Sequence, residues 1–181
     1  NDIFLVEKFF NKGLRFMQLT YNNQTPLAGG CYEKHDSGVS RFGEMVIEEM
    51  NRLGMIVDLS HAGKQTCLDA INFSKKPVAI SHANPSSFHQ SIRNIDDEVL
   101  KQLANKNGFI GLSLYPYHLK NHGDCKLEDF SEMIKQLVNM MGEDSIGIGS
   151  DLCMNWPDSV VMWMRNGKWT KKIDYGESKD K

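Results

Sequence analysis

An apolar run ending in Ser-His occurs twice in close succession: Gly54 to His61 reads GMIVDLSH and Pro77 to His82 reads PVAISH, with a helix-like segment between them. Met55 to Leu59 is too short for a free-standing helix and apolar on both faces, which suits a strand of a parallel sheet covered on both sides. His61 and His82 then stand at the carboxyl ends of successive strands. In parallel α/β folds that edge binds ligands, because its loops vary while the sheet holds them in place. Two imidazoles projected there form a candidate half of a metal site, although histidine serves as readily as a hydrogen-bonded anchor.

The rest of the chain repeats this alternation. Ile3 to Phe10 reads as a helix closed by Gly13, and Leu14 to Thr20 as a strand. Tyr21 to Gly38, rich in Asn, Gly, Pro and Asp, is a long loop, of a kind more often functional than short connections are. Ser40 caps a helix with Phe42, Val46, Met50 and Leu53 inward and Gly54 at its end. Gly63 to Phe73 is a helix buried through Cys67, Ala70 and Ile71, and Val78 to Ser81 is a strand with His82 just beyond. Asp96 caps a helix buried through Val99, Leu100, Leu103 and Ala104 and stopped by Gly108, and Phe109 to Tyr115 is the next strand. Phe130, Met133, Ile134, Leu137, Val138 and Met141 follow the helical spacing without a gap until Gly142. Ile146 to Ser150 delivers Asp151 to the edge that holds both histidines, and a further amphipathic turn spans Val160 to Met164. Such alternation means right-handed crossovers on a parallel sheet, either an open doubly wound sheet or part of a (β/α)8 barrel. No glycine-rich phosphate fingerprint follows a strand, which weakens a nucleotide-binding reading.

Composition narrows the classes further. The 181 residues suit a single domain spanning 1–181, and a net charge of -2 supplies no field that would recruit nucleic acid or an anionic membrane. No apolar run is long enough to span a bilayer and no leader opens the chain, so a cytoplasmic location is expected, with the periplasm as the alternative. Cys31, Cys67, Cys125 and Cys153 have no paired spacing and read as free thiols, with one or two disulfides as the alternative. His35, His89, His118 and His122 read as exposed loop residues, and Trp156, Trp163 and Trp169 as packing or lid residues. Asp58, with no visible partner, is a candidate for orienting an imidazole.

RLGMIVDLSH, PVAISHANP, Arg93-Asn94 before an acidic helix start, GFIGLSLYP and SIGIGSDL occur in that order. Together they resemble the renal (membrane) dipeptidase family of zinc peptidases, and MQLTYNNQTPLAGGCYEKHDSGVSRFGEMV is similar to its bacterial branch. The resemblance implies a (β/α)8 barrel with two zinc ions at its mouth and a dipeptide as substrate. It implies His61 and His82 as ligands of one metal, Asp151 as the group handling the proton of the attacking water, and Arg93 as the clamp on the substrate carboxylate. Tyr115 joins Arg93 as a substrate contact. Tyr21 takes the position where many members carry a histidine that steadies the reacting carbonyl. The family's His-x-Asp pair and bridging glutamate have no counterpart here, so the resemblance implies about the last five strands of the barrel and an incomplete metal set.

Taken alone, Asp151 suits capping and Arg93 a surface ion pair as well as catalysis. Two other functions stand beside a metallo-dipeptidase. One is a truncated, non-catalytic relative acting as a binding or interaction protein, since open sheet edges pair with something. The other is a hydrolase of another amide or lactam. A second copy of the chain, as a homodimer, is the candidate protein partner.

Overall fold

The computed structural model describes residues 2–152 and residue 155. Helix α1 (Phe4–Asn11) leads into strand β1 (Phe16–Gln18), followed by α2 (Arg41–Leu53), β2 (Ile56–Asp58), α3 (Lys64–Phe73) and β3 (Ala79–Ala83). Then come α4 (Asp97–Asn105), β4 (Phe109–Leu112), α5 (Leu127–Met141) and β5 (Ile146–Ile148). The amphipathic turn expected over Val160 to Met164, the three tryptophans and Cys153 lie outside the described residues.

All five strands are parallel and stand side by side in chain order. That order decides between the two architectures. A doubly wound sheet reverses its strand order once, which sends helices to both faces. Here each right-handed crossover advances one strand in the same direction, so every helix lies on one face. Consecutive helices pack on one another from α1 through α5, as that requires. The sheet is an arc of a (β/α)8 barrel, with the helices outside and the carboxyl ends of the strands at the mouth.

Local chemistry fixes the element ends. Ser40 Oγ accepts the Gly43 N–H at 3.0 Å to cap α2, and the Asp96 carboxylate accepts the Glu98 N–H at 2.9 Å to cap α4. Gly54 closes α2 with φ +77°. The stop of α4 differs from expectation: the left-handed residue is Asn107, φ +54°, while the Gly108 N–H bonds back to the Leu103 carbonyl at 2.8 Å. Asparagine tolerates this conformation, so the turn forms one residue early. β3 also runs further than expected and takes His82 into the strand, because Ala83 still pairs with Leu112 of β4, while the His82 N–H is held by Ser60 Oγ at 3.1 Å.

The helix faces bury what their periodicity dictates: Val46, Ile47 and Met50 on α2, Cys67, Ala70 and Ile71 on α3, Val99, Leu100 and Leu103 on α4, and Met133, Leu137 and Met141 on α5. Truncating a fully buried leucine such as Leu103 to alanine would cost about 2–5 kcal/mol. The two edge strands differ, with Phe16 of β1 49% and Ile148 of β5 63% exposed.

Candidate active site

The site grows from the polar residues at the ends of β2 and β3. Asp58, the last residue of β2, is buried and accepts four hydrogen bonds. Oδ1 accepts from the Ser60 N–H (3.0 Å), Ser60 Oγ (2.9 Å) and the Ser81 N–H (3.0 Å), and Oδ2 accepts from Ser81 Oγ at 2.6 Å. Far from lacking a partner, this carboxylate ties the two Ser-His motifs together. The serine preceding each histidine is therefore as much part of the site as the histidine.

This network fixes the tautomers. Each serine has one hydroxyl proton, and Asp58 takes both. The 2.8 Å contact between Ser81 Oγ and His82 Nδ1 thus has His82 Nδ1–H as donor. His61 Nδ1 lies 2.6 Å from Asn22 Oδ1, which can only accept, so Nδ1 carries the proton there too. A neutral imidazole has one N–H, so both Nε2 atoms present lone pairs, and these face each other at 2.9 Å. Burial pushes both rings below the usual histidine pKa, and Arg93 adds to this, although Asp151 and Asp58 draw His82 part of the way back, so the net direction disfavours a shared proton.

Two lone pairs in that relation fit a cation. Nitrogens on a tetrahedral zinc, with bonds of about 2.0–2.1 Å, stand roughly 3.3 Å apart, close to the spacing found. The second nitrogens are held by a carbonyl oxygen and a carboxylate-anchored hydroxyl, the usual arrangement behind metal-ligating histidines. Among the described residues no group of three or more His, Cys, Asp or Glu side chains could hold a metal ion, so the facing pair of His61 and His82 stands one short of a usual catalytic zinc set.

The loop from Tyr21 to Gly38 is pinned beneath His61. Cys31 N–H donates to the His61 carbonyl at 2.9 Å, and Asp36 caps α3 through the Thr66 N–H at 2.9 Å and Thr66 Oγ1 at 2.7 Å. A Cβ on Gly30 would meet the Asn22 carbonyl, so only glycine lets the loop bring Asn22 to its histidine. Tyr21 stacks on the His61 ring with centroids 3.9 Å apart and planes at 25°. His61 (φ +69°), Asn22 (φ +62°) and Asp151 (φ +56°) all hold left-handed backbone, a conformation that costs non-glycine residues about 1–2 kcal/mol.

Asp151 follows β5, half-buried. Burial raises its carboxyl above the ordinary range while His82 and Arg93 pull it down, which places it in the same electrostatic neighbourhood. Arg93 is buried, and its Nη2 donates to the His82 carbonyl at 3.5 Å. Tyr115 stands one ring away, packed on His118 at 5.2 Å and on Tyr117 at 5.6 Å. The structure thus brings His61, His82 and Tyr21 into contact and sets Arg93 and Asp151 beside them.

One expectation is overturned. His118 is buried, 3% exposed, rather than an exposed loop histidine, because its loop turns inward as a 3-10 turn at Pro116–His118. His35 and His122 are exposed and His89 is partly so. Asn22 had no signal beyond its place at the end of a strand.

The family model for membrane dipeptidases, peptidase family M19, matches residues 1–159. This chain belongs to that family. Among its relatives, an uncharacterised dipeptidase of Schizosaccharomyces pombe is 32% identical over 156 residues, which cover 81% of this chain and 37% of the relative. Dipeptidase aclJ of Aspergillus oryzae is 31% identical over 151 residues, covering 81% and 36%. An amidohydrolase structure from Pseudomonas aeruginosa superposes with a TM-score of 0.90 at 38% identity, over 96% of this chain and 53% of that one. A metallo peptidase from Rhodobacter sphaeroides, bound to a phosphinate mimic of the dipeptide L-Ala-D-Ala, gives a TM-score of 0.75 at 25% identity, over 82% and 45%. The chain spans a little over a third of the length of these curated relatives and about half of these structures.

Proposed function

We propose that the chain acts as part of a zinc-dependent dipeptidase barrel, and that His61 and His82 hold one of its metal ions. The observation carrying this reading is the pair of Nε2 lone pairs facing each other at 2.9 Å with both Nδ1 protons committed elsewhere. When bound, a zinc pair supplies a water activated near neutral pH and a Lewis acid for the carbonyl.

The protein's own residues do the rest. Asp151, its carboxyl raised by burial, accepts the proton of the attacking water and returns it to the departing amine. Arg93 clamps the free carboxylate, a planar group its guanidinium matches, and its bond to the His82 carbonyl sets that clamp against the metal-binding strand. Tyr115 borders the substrate. Tyr21 covers His61 and directs its hydroxyl to the reacting carbonyl. The matched relatives are dipeptidases and one solved neighbour binds a dipeptide mimic, which supports a dipeptide as substrate. Two histidines leave the set short of the three protein ligands usual for catalytic zinc, so the complete centre calls on residues beyond the described ones.

The test is dipeptide hydrolysis by the full-length protein with added zinc. His61→Ala should abolish activity and zinc retention together. Zinc-stimulated cleavage that survives this substitution refutes the assignment.

A further inference from the structure

His118 was not expected at the site, yet it is built into it. Asn84, fully buried, donates through Nδ2 to the Ser113 and His118 carbonyls, both at 3.0 Å, and accepts the Ser113 N–H at 3.1 Å. Asn94, next to Arg93, donates through Nδ2 to the carbonyls of His89 at 2.8 Å and His118 at 3.0 Å. The loop carrying Arg93 and the loop carrying Tyr115 and His118 are thereby locked into one piece.

The ring is oriented as firmly as its backbone. Ser113 Oγ accepts the Tyr115 N–H at 3.1 Å, and the acceptor for its own proton is His118 Nδ1 at 2.9 Å. Both groups are buried, so the serine proton goes to Nδ1 and the ring carries its own proton on Nε2. This is the opposite tautomer from His61 and His82. Those rings expose a lone pair, and this one exposes an N–H. Among the described residues Nε2 meets no hydrogen-bond partner, and it is not sealed off, since the buried, inaccessible orphan of the described side chains is Gln102 Oε1. The ring feels Arg93 and His82, and His61 feels the ring in turn.

We infer that His118 is a substrate-binding residue whose Nε2–H donates to the carboxylate that Arg93 clamps. The inference rests on the dipeptidase reading, and it assigns a second donor to that subsite. A fixed neutral donor adds directional preference beside a guanidinium without adding charge. A hydrogen bond to a charged acceptor of this kind is worth roughly ten- to a hundredfold in affinity.

The test compares one dipeptide with its C-terminal amide in the zinc-loaded full-length enzyme, by kinetics and by calorimetric binding to the metal-free protein. His118→Phe should raise KM for the dipeptide at least tenfold, leave kcat within a few-fold, and barely change the amide. His118→Gln, which keeps a donor near the Nε2 position, should recover most of the loss. Equal loss on acid and amide, or no change in either, overturns the assignment while leaving dipeptidase activity in place. If the wild-type protein neither cleaves nor binds dipeptides, the functional reading itself fails and this inference with it.

Discussion

Asp58→Asn should disable the metal centre without touching a ligand. The amide oxygen can take over the Oδ1 position and keep the Ser60 N–H, Ser60 Oγ and Ser81 N–H. The amide NH2 then replaces Oδ2, facing a Ser81 hydroxyl that had donated across 2.6 Å. Two donors cannot face each other, so Ser81 turns its proton to the other neighbour in reach, His82 Nδ1 at 2.8 Å. His82 must now carry its proton on Nε2, where it points at His61 Nε2 across 2.9 Å. The site closes on itself with an internal hydrogen bond. One charge-assisted bond, worth about 1.5–3 kcal/mol, is lost, the three kept on Oδ1 weaken by roughly 1 kcal/mol each as the acceptor becomes neutral, and two neutral bonds of about 1 kcal/mol each are gained, so global stability should fall by a few kcal/mol with the fold intact. Metal affinity should fall about 10–100-fold, the range expected when a partner behind a ligand is removed. Competition with a chromophoric chelator measures the affinity, and urea unfolding in EDTA measures the stability. Wild-type zinc affinity in Asp58→Asn, or a loss of affinity matched by gross unfolding, would refute the relay through Ser81.

Two further outcomes follow from burial. His118 is pushed down to about 3 in the fold, against about 6.5 in an unfolded chain, so the unfolded state binds a proton first as pH falls. Its contribution to stability is complete above about pH 6.5 and is lost progressively down to about pH 3, at up to about 1.4 kcal/mol per pH unit. Urea midpoints of metal-free protein between pH 6 and 4 should decline less steeply in His118→Gln, and equal slopes would contradict a buried neutral ring. The Cys67 thiol is buried and its pKa raised, whereas Cys31 and Cys125 are partly exposed. Peptide mapping after brief iodoacetamide treatment should find both of those labelled before Cys67, and early labelling of Cys67 would contradict the packing of α3.

The sequence carried the alternation of elements because burial is periodic and caps are local. The gap-free apolar stripe of α5 and the Ser40 and Asp96 caps can be read without knowing what packs on them. Choosing between barrel and doubly wound sheet required the strand order, which depends on non-local pairing and leaves no mark on any single segment. His61, His82, Asp151 and Arg93 were legible as strand-end and loop residues of the right chemistry. Asp58 was legible only as a question, because two of its four donors come from Ser81 on the neighbouring strand β3. His118 was misjudged for a related reason: a histidine after Tyr-Pro-Tyr looks like loop surface until Asn84 and Asn94, more than twenty residues earlier, are seen to hold its carbonyl.

The site sorts its histidines by what lies behind each ring rather than by how deeply each is buried. Burial lowers the pKa of His61, His82 and His118 alike and so makes all three neutral. A neutral imidazole can be a ligand or a donor, and the choice falls to its other nitrogen. An amide oxygen on Asn22 and a serine whose proton belongs to Asp58 turn two rings into lone pairs. A serine without such a carboxylate, Ser113, turns the third into an N–H. The same Ser–His contact, at 2.8 Å in one place and 2.9 Å in the other, therefore has opposite polarity, and the presence or absence of one aspartate decides it.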